Sequence, residues 1–65
     1  MLWQLSMQGD RLSCAVYRVA GGYELRLESP TAVVLHEPFD LQPRALARAQ
    51  ALRQALRRRG WAEAV

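Results

Sequence analysis

The 65-residue sequence predicts an α+β fold: an antiparallel meander of three to four strands with one C-terminal amphipathic helix packed on one face. Three observations predict it. Apolar and polar residues alternate with a period of two through much of residues 1–37, the pattern of half-buried strands. Turn-forming residues interrupt that alternation at Gly9-Asp10, Gly21-Gly22 and Ser29-Pro30-Thr31. From residue 45 the apolar spacing changes to three and four, and the new pattern stops at Gly60.

The first strand is expected at about 2–8, with Trp3, Leu5 and Met7 on one face and Gln4 and Ser6 on the other. With Gly9-Asp10 as a two-residue loop, Met7 would oppose Leu12, Leu5 would oppose Cys14 and Trp3 would oppose Val16. The second strand, about 11–20, runs into Gly21-Gly22, and the third, about 23–29, turns Tyr23, Leu25 and Leu27 inward and Glu24, Arg26 and Glu28 outward. Two registers compete across this turn. A Gly21-Gly22 loop sets Val16 against Leu27 and Arg18 against Leu25. A three-residue loop from Ala20 pairs Tyr17 with Leu25 and Val19 with Tyr23, which is locally better but requires a bulge near Val16-Tyr17. The fourth strand, about 32–37, is rich in valine and closed by Pro38, which cannot donate to a ladder, so it is expected at a sheet edge.

The helix is expected over 41–59, with Asp40 as its N-cap and Pro43 in the first turn, where no intrahelical donor is lost. Ala45, Leu46, Ala49, Leu52 and Leu56 form a stripe about 100° wide that can lie on the sheet. Gly60 stands where a left-handed residue ends a helix, and Trp61 follows, placed to cover Leu56.

A chain of this length forms one domain, 1–65, that buries only about 60% of its unfolded surface, so some apolar surface is expected to be shared with a partner. With 51% apolar and 23% charged residues, it has the composition of a packed domain and not of a disordered tail. No run approaches the roughly 18–20 apolar residues of a membrane span, and the N-terminus lacks a signal-peptide pattern. Cys14 is the only cysteine, which favours a reducing compartment. The expected location is the cytoplasm.

All nine cations are arginine; lysine, isoleucine and asparagine are absent. Those three share A/T-rich codons, so a GC-rich, bacterial genome is inferred, and part of the arginine excess is attributed to it. The charge is nevertheless uneven. Residues 1–40 hold three arginines against five acids, a balance of −2, whereas residues 41–65 hold six against Glu63, a balance of +5.

Few chemistries are open to such a chain. Cys14 and His36 are the sole candidates for a nucleophile and its base, but Cys14 falls mid-strand on an apolar face and His36 on an edge. Glu24 and Glu28 lie four residues apart on one strand, about 13 Å between Cα atoms, too far for the paired carboxylates of glycoside hydrolysis. One Cys and one His would leave a tetrahedral zinc site half empty, and Gly21-Gly22 lacks the Lys-Ser/Thr pair of a phosphate loop. No enzyme activity, cofactor or metal is expected.

Binding remains. Arg44, Arg48, Arg53, Arg57, Arg58 and Arg59 are candidate phosphate contacts, since each guanidinium can grip an anionic oxygen bidentately; the alternative is a solvated helix face. Val33, Val34 and Leu35 on the edge strand, with Trp3 and Trp61, are candidate interface residues. Trp3 is also expected as core beneath the helix. The order of strands followed by one helix is similar in outline to the arm-type DNA-binding domains of tyrosine recombinases, which read DNA with a three-stranded sheet. That likeness covers element order alone, and Glu24 and Glu28 on the outer face would repel phosphate there. The expected role is therefore a non-catalytic protein working through protein contacts, with a second copy of itself or another protein as partner. Nucleic-acid binding through the arginine-rich helix is the alternative, and a membrane partner is not expected.

Overall fold

A computed structural model describes residues 1–64 of the chain. Five strands and one helix follow one another as β1 (Trp3–Met7), β2 (Asp10–Val19), β3 (Gly22–Glu28), β4 (Val33–Phe39), α1 (Gln42–Arg58) and β5 (Ala62–Glu63). All neighbours are antiparallel and the sheet order is β4-β3-β2-β1-β5. The α+β meander with one helix on one face is as the sequence predicts. The fifth strand is an addition: after Gly60 turns the chain, Ala62 and Glu63 pair with Ser6 and Leu5 along the free side of β1.

Both hairpin registers differ from expectation. In the first, Gln8 and Gly9 form the loop, both at positive φ (51° and 87°), so Trp3 pairs with Cys14, Leu5 with Leu12 and Met7 with Asp10. The shift is two residues, which preserves parity and keeps the same side chains under the helix. In the second, the loop is Ala20-Gly21, which pairs Val16 with Leu25 and Cys14 with Leu27 and leaves β2 without a bulge. Gly22 lies in the sheet at a position only glycine can fill, since a Cβ there would lie 2.3 Å from the Phe39 carbonyl oxygen of β4. The close approach of that backbone, invisible in a turn-propensity reading, is compatible with glycine in this register.

The bulge lies instead between β3 and β4, where the pairing shifts between Leu27 and Glu28 and Val34 is the extra residue. Strand β4 runs through Pro38 to Phe39, past its expected end. A two-residue loop makes Val19 and Gly22 a narrow hydrogen-bonded pair, so alternation turns the backbone groups of Tyr23, Leu25 and Leu27 towards β4. Pro38, opposite Glu24, therefore faces away from β3, where its missing N–H interrupts nothing.

The helix begins one residue later than expected. Leu41, extended at φ −126° and ψ 138°, is the N-cap and offers no side-chain acceptor, while Asp40 instead approaches Arg44 at 3.5 Å. The C-terminal end is as predicted. Gly60, at φ 103°, donates to the Arg57 carbonyl at 3.1 Å and Trp61 donates to the Leu56 carbonyl at 3.1 Å, the paired bonds of a Schellman closure.

The core lies between α1 and the sheet. Leu5, Cys14, Leu25, Leu27, Ala45 and Ala49 are buried, and Trp3, Leu12, Val16, Leu35, Phe39, Leu52 and Leu56 pack around the central cluster. The two buried alanines let the helix approach closely. Leu46, expected in the stripe, is 41% exposed because it stands 100° round the helix from Ala45.

Candidate functional site

Three polar ties hold α1 on the sheet. The Trp3 indole Nε1 donates to the Ala49 carbonyl at 3.1 Å from beneath. On the β4 side Arg48 donates to both oxygens of Glu37, at 3.0 and 3.3 Å, and this bond raises the Arg48 pKa further above its ordinary value. On the β5 side Arg53 pairs with Glu63. Glu37 and Glu63 can do this because register places them opposite Leu25 and Leu5, on the helix-facing side. Arg48 turns towards the sheet because an edge-strand acid, Glu37, lies within reach.

The six candidate arginines thus divide. Arg48 and Arg53 are drawn into the helix-sheet joint and Arg44 is paired with Asp40 at the surface. Arg57, Arg58 and Arg59 in the last turn are exposed and form no ion pair among the described residues. Arg11 is exposed and likewise without an ion pair. It lines a groove of about 370 Å³ together with Trp61, the hairpin turn at residues 9–12 and the β3-β4 turn at residues 29–31. Neither Arg11 nor this groove was legible in the sequence, because the two turns and Trp61 are brought together only by the path of the chain after Gly60.

The sheet face opposite the helix has its own polar cluster. The Arg26 Nε donates to Glu24 at 2.5 Å, and its guanidinium stands 4.5 Å from the centre of the Tyr17 ring. The Glu24 bond is the main cause of a raised Arg26 pKa, opposed by a smaller loss of solvent. His36 Nδ1 lies 3.8 Å from the other Glu24 oxygen. Arg26 and Glu24 are therefore partners along one strand.

Of the candidate interface residues, Val33 and Val34 are 51% and 57% exposed on the β4 edge, Leu35 is partly buried below the helix, Trp3 is tied to Ala49, and Trp61 lines the groove. Cys14 is fully enclosed. Burial pushes its thiol up to about 11, with the N-terminal charge pulling slightly the other way. Among the described residues no three His, Cys, Asp or Glu gather as metal ligands, and no helix is long and apolar enough to cross a membrane. No family model matches the sequence, and no curated protein or solved structure matches it either.

Proposed function

We propose that this is a non-catalytic cytoplasmic protein that acts through protein contacts and associates with a second copy of itself along β4. The single observation that carries this reading is the free edge of β4, where two adjacent valines are more than half exposed. The opposite edge is the two-residue β5, too short to offer a comparable row of backbone groups. On β4 the outward-facing backbone lies between the bulge at Val34 and the proline at 38. Those two features confine pairing to a short window, which suits a closed two-fold contact and disfavours open-ended strand addition.

The ion pairs support the same ranking. Half of the helix arginines already have acidic partners from this chain, so the helix as a whole is a weak phosphate-binding surface. A non-catalytic role is supported by the enclosure of Cys14, whose thiol stays protonated at neutral pH, and by its separation from His36, which lies two strands away on the opposite face of the sheet. Sedimentation equilibrium from about 10 μM to 1 mM should give a mass rising to that of a dimer. Val34→Lys should hold it at the monomer mass with an unchanged circular dichroism spectrum. A wild-type monomer at the highest concentration overturns the proposal.

A further inference from the structure

Most of the net charge of this protein resides at one end. Arg11, Arg57, Arg58 and Arg59 stand there with two acids, Asp10 and Glu28, giving +2, and the remaining five arginines face four acids. Those four acids all sit in ion pairs with four of those arginines. The positive end also contains the open groove of about 370 Å³, lined by Arg11 and by Trp61, which follows Arg59 by two residues. The negative pole of α1 is muted here, since the Leu56 and Arg57 carbonyls already accept the Trp61 and Gly60 amides.

We infer that this end binds single-stranded nucleic acid, with its exposed arginines on the phosphates and an unstacked base in the groove against the Trp61 indole. A concentrated positive charge beside an accessible aromatic ring is the combination that single strands require, because every base offers a flat face and every linkage an anion. A duplex keeps its bases stacked and has nothing to place on Trp61. Arg11 shares a smaller hollow of about 210 Å³ with Glu28 on the open sheet face, which bars the phosphates from continuing across the sheet and directs the strand along the end of the molecule. The surface lies apart from the β4 window and does not depend on self-association.

The test is fluorescence anisotropy with labelled eight-nucleotide single strands of RNA and of DNA, a matched duplex and a polyglutamate peptide, each over a range of salt. Binding to either single strand should weaken with salt, with a log-log slope of up to roughly −3 for four phosphate contacts. Arg58→Glu and Arg11→Glu should each make that slope shallower, and Trp61→Leu should weaken binding about 5- to 100-fold at constant slope. Thermal melts of the variants separate loss of binding from loss of fold, and the two arginine variants, on a helix surface and a strand surface, do not share a structural role. Absence of binding to both single strands overturns the inference. So does duplex or polyglutamate binding as tight as single-strand binding, which would mark the end as a general polyanion or acidic-peptide surface.

Discussion

At Gly22 the carbonyl of Phe39 occupies the space that any side chain would need, and the backbone adopts φ 154° besides. Gly22→Ala should therefore destabilise the fold by about 2 kcal/mol or more in urea unfolding, through a backbone clash that no rotamer can relieve. Cys14 provides a pH-dependent counterpart. Its folded pKa, about 11, lies above the ordinary value of 9.0, so the folded state favours the protonated thiol. That contribution is complete below pH 9 and is lost as pH rises towards 11, while the unfolded thiol ionises first. Urea midpoints measured across that window should fall, and Cys14→Ala should remove this part of the fall. Leu41 points the other way. It is an exposed N-cap without an acceptor, so Leu41→Ser should stabilise by about 0.5–1 kcal/mol in thermal melts, filling a role that Asp40 misses by one residue.

Between elements, the helix is held by apolar packing in the middle and polar ties around it. Trp3→Phe keeps an aromatic ring but removes the bond to the Ala49 carbonyl along with some packed volume, and should cost about 1 kcal/mol or more by denaturant unfolding. The exposed pair Arg48 with Glu37 contributes less, and its effect should shrink with added salt. The helix, its glycine stop and the first four strands are legible in the sequence because each depends on local periodicity and turn chemistry. What the sequence leaves open depends on contacts distant along the chain. The Gly22 register goes with the close approach of Phe39, the bulge position follows from the pairing of Val33 with Glu28, and β5 from a two-residue segment too short to show any period.

For the molecule as a whole, the same distinction separates the charges. Six helix arginines read alike in sequence, yet three have acidic partners from Glu37, Asp40 and Glu63, and three remain at an end that also gathers Arg11 and Trp61. The exposed valines of β4 were legible, since an edge strand closed by proline needs only local reasoning; the window between bulge and proline was not, because it depends on which way β3 turns its hydrogen bonds. Within that window the backbone N–H of His36 faces away from the sheet and has no partner in a single chain. Amide hydrogen exchange at His36, followed by NMR as protein concentration is raised, is the most direct test of self-association through β4. The account predicts fast exchange in dilute protein and growing protection as the dimer forms. Fast exchange at His36 in samples whose mass has already doubled would contradict it and move the interface elsewhere.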